Sequence, residues 1–202
     1  MRINTLMIAA AAFSAVLHGA RASGLAIGDA MPAANAALLN VDGRELTLAK
    51  VAGGKGTLVI FSCNHCPWVQ AWETRMVAIG NGYRTKGVGV IAVNSNDPKE
   101  YPDDDLPQMR ERARDKNYLF PYAVDTTSDL ARAFGATHTP EAFLFDASGR
   151  LVYHGTIDDN ARNPEKVQHA YLRDALDAVL AGKSPAVQET KALGCTIVPR
   201  GK

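Results

Sequence analysis

Apolar and polar positions along the chain follow two periods. Leu58-Val59-Ile60-Phe61-Ser62 is a short unbroken apolar run, as expected of a strand covered on both faces. Val88 to Val93 is a second such run, and Tyr122-Ala123-Val124 a shorter third. Glu141 to Asp146 and Leu151 to His154 predict two more strands, joined by the turn Ala147-Ser148-Gly149-Arg150. Between strands the pattern becomes helical. Val69, Trp72, Met76 and Ile79 recur after Pro67, a residue suited to the first helical turn. Leu106 to Lys116 predicts a second helix, opened by Asp103-Asp104-Asp105, which is expected to be solvated and to complement the helix dipole. Ser128 to Phe134 reads as a short helix with Ser128 as its cap. Pro164 to Leu180 reads as the last helix, stopped by Gly182 with Pro185 just beyond.

Ahead of the first strand, Asn40-Val41-Asp42-Gly43-Arg44 predicts a small hairpin. Gly53-Gly54-Lys55-Gly56 lacks the spacing of a phosphate loop and leads into a strand, so it reads as a turn. The order strand, helix, strand, helix, strand, helix, hairpin, helix implies an α/β fold with a central mixed sheet flanked by helices on both faces.

Residues 1–22 depart from this pattern. Arg2, the apolar stretch Leu6 to Leu17 and Ala20-Arg21-Ala22 match the three parts of a secretory signal, and the stretch is short for a bilayer span. The expected organisation is a signal peptide over 1–22 and one domain over 23–202, ending in a tail over 183–202. The mature protein is expected in the periplasm or another extracytoplasmic space, with no membrane span. Losing two of the 22 basic residues with the signal leaves 20 against 21 acids, so no nucleic-acid or anionic-membrane partner is implied.

Export changes the meaning of the cysteines. Cys63, Cys66 and Cys195 would sit where disulfides persist, yet three are too few for a framework. Cys63-Asn64-His65-Cys66-Pro67 lies between a buried strand and a helix, where free N–H groups and the helix dipole stabilise a thiolate. His65 can lower the thiolate pKa further, and a stabilised thiolate biases the pair toward acting as an oxidant. Haem attachment needs His where Pro67 stands. A zinc site needs a second ligand pair, but only Cys195 and the scattered His138, His154 and His169 remain. No cofactor and no metal is therefore expected. Thr137-His138-Thr139-Pro140 precedes a strand, and a proline there predicts a cis bond at Thr139–Pro140.

Phe-Ser-Cys-Asn-His-Cys-Pro followed by Thr-Pro-Glu-Ala-Phe-Leu-Phe-Asp resembles the thioredoxin-like superfamily, closest to its peroxiredoxin-like and TlpA/ResA-like branches. Asn94-Ser95-Asn96-Asp97 and Tyr101-Pro102 are similar to redoxin-domain proteins carrying a thioredoxin-type motif. The resemblance spans roughly Ile27 to Leu180 and implies a thioredoxin-like fold with an N-terminal hairpin extension. It further implies Cys63 as the more exposed, attacking thiol and Cys66 as the resolving one. Thr139 and Pro140 would hold a partner's extended chain beside them. Two departures stand out. Cys66 precedes Pro67 as a peroxidatic cysteine does, but Cys63 occupies the place of the usual hydroxyl. Thr57 to Phe61 also lacks the buried acid of thioredoxins, which leaves proton transfer to water, His65 or His138.

The leading expectation is disulfide exchange with thiol or disulfide protein partners by a monomer. A thiol peroxidase taking a peroxide substrate is the alternative. A Cu(I) chaperone is a third reading, weakened because such motifs usually have three residues between the cysteines and this one has two. Cys195 stays open as an additional redox thiol, a link to another chain or a free thiol.

Overall fold

The structure is a computed structural model and describes residues 24–201; the expected signal segment lies outside the described residues. In chain order, β1 (Leu38–Asn40) and β2 (Glu45–Leu46) form the expected hairpin, followed by the short α1 (Leu48–Val51) and β3 (Thr57–Phe61). Next come α2 (Pro67–Arg84), β4 (Gly89–Asn94), a 3-10 turn at Pro102–Asp104 and α3 (Leu106–Asp115). Then follow β5 (Tyr122–Val124), α4 (Asp129–Phe134), β6 (His138–Thr139), β7 (Glu141–Phe145) and β8 (Leu151–Gly155). A 3-10 turn at Pro164–Lys166, α5 (Tyr171–Leu180) and β9 (Cys195–Thr196) complete the fold.

Seven strands form one mixed sheet in the order β2-β1-β5-β4-β3-β7-β8, and β6 pairs with β9 in a separate ribbon. β3 is buried at every position because it lies between β4, to which it is parallel, and β7, to which it is antiparallel. Alternation then sends Leu58 and Ile60 to one face, against Val69, Trp72 and Met76 of α2, Met109 of α3, and Leu172 and Leu176 of α5. Val59 and Phe61 go to the other face with Leu48 of α1 and Leu130 and Phe134 of α4. There Phe61, Phe134 and Phe143 meet edge to face, with centroids 5.2 to 5.7 Å apart. α2 and α3 are also fastened by an ion pair: Arg112 meets the buried Glu73 at 2.6 Å, and the Tyr118 hydroxyl donates to the same carboxylate at 3.3 Å. Among the described residues no helix is long and apolar enough to cross a membrane.

Three expectations need correction. The last helix starts at Tyr171, not Pro164. Leu172 N–H donates to Ile157 O, His169 O accepts from Asp159 N–H, and Gln168 N–H donates to Asp159 Oδ1, so this backbone is bonded sideways to the 157–159 loop. Ser128 holds the N-cap position of α4, but its side chain makes no capping bond. Its φ is 55°, its hydroxyl donates to Ser95 O at 2.7 Å, and the same oxygen accepts from Arg200 N–H at 2.9 Å. The acid run is not uniformly solvated: Asp105 caps α3 by accepting from Gln108 N–H, whereas Asp104 is fully buried.

Candidate active site

The chain leaves the C-terminal end of the interior strand β3, Ser62 N–H is held by Val93 O, and Cys63 to Cys66 form the connection into α2. Cys66 is the N-cap of α2 and Pro67 follows at its first turn, so the pair sits where the helix presents unpaired N–H groups. From the opposite side comes Thr139, followed by a cis peptide bond to Pro140. Its hydroxyl lies 3.1 Å from Cys63 Sγ and its carbonyl oxygen 3.1 Å from Cys66 Sγ. The structure thus brings Cys63, Cys66, Thr139 and Pro140 together. It also brings in Cys195, whose Sγ is 2.7 Å from Cys66 Sγ.

The exposure expected of Cys63 is not found: Cys63 is 1% and Cys66 0% exposed. Electrostatics separate the two thiols. Cys66 is pulled well below the ordinary thiol range by the Cys63 thiol donating to it. Burial opposes this, and the Cys195 thiol and the N–H groups of Val69 and Cys195 reinforce it. The Thr139 carbonyl oxygen, 3.1 Å away, favours the protonated form of Cys66. Cys63 is driven the other way by its bond to Cys66, by burial and by the Asp104 carboxylate, with only the Thr139 hydroxyl stabilising its thiolate. Burial raises Cys195 to about 11, and the Cys66 sulfur adds to the rise.

The acid missing from β3 is supplied elsewhere. Asp104 Oδ1 accepts from Asn64 N–H at 2.6 Å, and Oδ2 lies 2.7 Å from His65 Nδ1 and accepts from Asn96 Nδ2 at 2.9 Å. His65 stacks flat on Tyr101 with ring centroids 3.7 Å apart. Asn64 is held as well, its Oδ1 accepting from the Tyr122 hydroxyl at 3.0 Å. Neither Asp104 nor Tyr101 was singled out by sequence reasoning as part of the site. The available signals were a third acid beyond the one a cap needs, and the Tyr101-Pro102 and Asn96 matches already visible in the chain. His138 is not aimed at the thiols by any contact here: its Nδ1 lies 2.8 Å from Thr137 Oγ1. Beside it, Glu141 is buried and takes N–H bonds from Thr137 and His138 and a 2.6 Å contact from His154 Nε2. Burial raises its pKa, but His154 and those two N–H groups outweigh it and leave the carboxyl below its usual range.

Cys63 Sγ, a His65 ring nitrogen and an Asp104 oxygen lie within 4.8 Å of one another, the reach of a metal ion. The hydrogen bonds from Asn64, His65 and Asn96 already occupy the Asp104 oxygens, and a carboxylate is a hard ligand unlike the thiolates that select Cu(I).

The Redoxin family model matches residues 26–171. The chain belongs to the Redoxin family. This redoxin domain is 27% identical over 121 residues to the thiol-disulfide oxidoreductase ResA of Halalkalibacterium halodurans, a match spanning 59% of this chain and 64% of that relative's length. It superposes on an uncharacterized conserved protein from Geobacillus kaustophilus with a TM-score of 0.81 and 36% identity, over 88% of this chain and 94% of the other. A thioredoxin-like protein in the oxidized form aligns with a TM-score of 0.59 at 22% identity, over 78% and 97% of the two chains, which shows the thioredoxin-like fold. The redoxin match ends before the tail, so β9 and Cys195 lie outside it.

Proposed function

We propose that the chain is an exported thiol–disulfide oxidoreductase exchanging disulfides with protein partners through Cys63 and Cys66. The observation carrying this reading is Cys66 at the N-terminus of α2, where the neighbouring Cys63 thiol lowers its pKa. The ionised Cys66 attacks one sulfur of a partner disulfide, forming a mixed disulfide and releasing the other sulfur as a thiolate. Cys63 then loses its proton and attacks Cys66 Sγ, which closes the Cys63–Cys66 disulfide and frees the second partner thiol. Asp104 with His65, within 4.8 Å of Cys63, is the group positioned to take that proton, directly or through one water. The roles of the two thiols are thus the reverse of those implied by the resemblance. In the direction written, two electrons pass from the protein thiols to the partner disulfide. A stabilised Cys66 thiolate favours the reduced pair, so the same steps run in reverse when a partner dithiol meets the Cys63–Cys66 disulfide.

The test is a trap. With Cys63→Ser and Cys195→Ser combined, Cys66 should hold partners as reductant-sensitive adducts in cell extracts, and Cys66→Ser should hold none. Adducts on Cys66→Ser alone would reverse the roles; none on either would sink the reading. Export rests on the pattern of residues 1–22, and an N-terminus near Ser23 in the extracytoplasmic fraction checks it. A second reading, thiol peroxidase, is favoured by the Cys66-Pro67 pair at a helix start. Faster oxidation of the reduced protein by hydrogen peroxide than by glutathione disulfide would select it.

A further inference from the structure

After α5 the tail runs back across the sheet. His154 N–H donates to Gln188 O and Thr190 N–H to His154 O, while Thr190 Oγ1 takes the N–H of Thr156 at 2.9 Å. Further on, Ile197 is buried among Val93, Ala123 and Phe134 and donates its N–H to Thr137 O at 2.9 Å. Val198 N–H donates to Asn96 Oδ1 and Asp97 N–H to Val198 O. Between these anchors, β9 lies antiparallel to β6 with Cys195 directly opposite Thr139, the residue before cis-Pro140. The approach is close enough that a Cβ on Gly194 would fall 2.2 Å from Thr139 O, which only glycine avoids.

This is the edge at which an extended partner chain would lie, and the strand occupying it offers a sulfur 2.7 Å from Cys66 Sγ. We propose that Cys195 is a third redox thiol of this chain and that β9 is a tethered stand-in for the partner's strand. The inference rests on Cys66 acting as the nucleophile proposed above. In the mixed disulfide between Cys66 and a partner, the Cys195 thiol gives up its proton and its sulfur attacks Cys66 Sγ. The Cys66–partner bond breaks, the partner leaves as a thiolate that takes up a proton, and a Cys66–Cys195 disulfide forms. Cys63 then attacks Cys66 Sγ in the same way, displaces Cys195 as its thiol, and leaves Cys63–Cys66 oxidised. The two electrons come from the protein thiols and reduce the partner disulfide. A partner gains the Thr139 edge when β9 withdraws, and the return of β9 after the mixed disulfide has formed brings Cys195 back to Cys66, so the tail screens the site as well as serving it.

Three full-chain variants separate the possibilities, each retaining two thiols: Cys195→Ser, Cys63→Ser and Cys66→Ser. Each is reduced, treated with glutathione disulfide, quenched with acid and mapped by mass spectrometry. The expected result is a Cys63–Cys66 link in the first, a Cys66–Cys195 link without retained glutathione in the second, and no internal link in the third. Glutathione retained on Cys66 in Cys63→Ser, while Cys195→Ser closes normally, overturns this inference and leaves the proposed function standing. Failure of Cys195→Ser to close overturns the proposed function, and this inference with it. Gly194→Val keeps every thiol but pushes β9 off Thr139. In the Cys63→Ser background it should slow Cys66–Cys195 closure by about tenfold or more, since a held geometry is lost. An unchanged rate would overturn the role of β9.

Discussion

Replacing Asp104 with Asn removes a charge while keeping nearly the same shape, and Cys63 is where the effect should be read. In a Cys66→Ser, Cys195→Ser background Cys63 is the remaining thiol, and its bond to Cys66, the strongest cause of its raised pKa, is gone. Burial and the Asp104 carboxylate remain. A unit charge within 4.8 Å, at an effective dielectric of about 20, is worth about 3 kcal/mol against the thiolate. Removing it should therefore lower the Cys63 midpoint by about two pH units. Thiolate absorbance near 240 nm, followed through a pH titration of each protein, reads this directly and needs no reagent to reach a buried sulfur. The substitution has a structural cost too. An Asn side chain keeps an acceptor for Asn64 N–H but turns a donor toward Asn96 Nδ2, and Asn96 is pinned by the bond its Oδ1 takes from Val198 N–H. That mismatch should cost about 1–3 kcal/mol, seen as a lower urea midpoint, so the titration is compared only where both proteins are folded. A Cys63 midpoint that stays put or rises in the folded variant would refute the placement of Asp104 as the charge facing Cys63.

Three further outcomes are expected. Cys66 has a folded pKa below its unfolded value of about 8.5; the stability it contributes is complete above that value and fades as pH falls through the folded one, so reduced protein should lose its advantage over Cys66→Ser on acidification in denaturation curves. Glu141→Gln breaks the buried contact with His154 and should cost about 3 kcal/mol near neutral pH by urea titration. The difference should shrink as pH falls, because the lowered pKa of Glu141 stabilises above about 4.3 and is lost through the folded value. Gly80→Ala places a Cβ 2.2 Å from the buried Phe120 ring; overpacking of about 1–3 kcal/mol should outweigh the helix gain of about 1 kcal/mol, and a raised urea midpoint would contradict that.

The strands were legible because their burial is written locally: an unbroken run such as Leu58 to Phe61 needs cover on both faces wherever it lies. The pair Cys63–Cys66 and the turn into Pro140 were legible for the same reason, each being a short motif beside a strand. Asp104 was not, because three consecutive acids look alike until the 3-10 turn at Pro102–Asp104 turns the middle one inward and leaves Asp105 to cap α3. The start of α5 was misjudged because the bonds that hold residues 168–172 come from the 157–159 loop, which periodicity does not see. The place of Cys195 was open for a different reason: its contact with Cys66 spans 129 residues of sequence, and nothing in its neighbours names the edge it will find.

The Glu73–Arg112 pair ties the middle of α2 to α3, and the two helices carry opposite halves of the chemistry. Cys66 stands at the head of one, and Asp104 just ahead of the other. With the tail withdrawn, the nucleophile and the acid are still held together by this cross-brace and by the bonds from Asn64 and His65 to Asp104. Sub-global opening should release both helices together, so amide protons along α2 and α3 should exchange at matched rates while those of β9 exchange sooner. The molecule can surrender its lid without loosening its hearth.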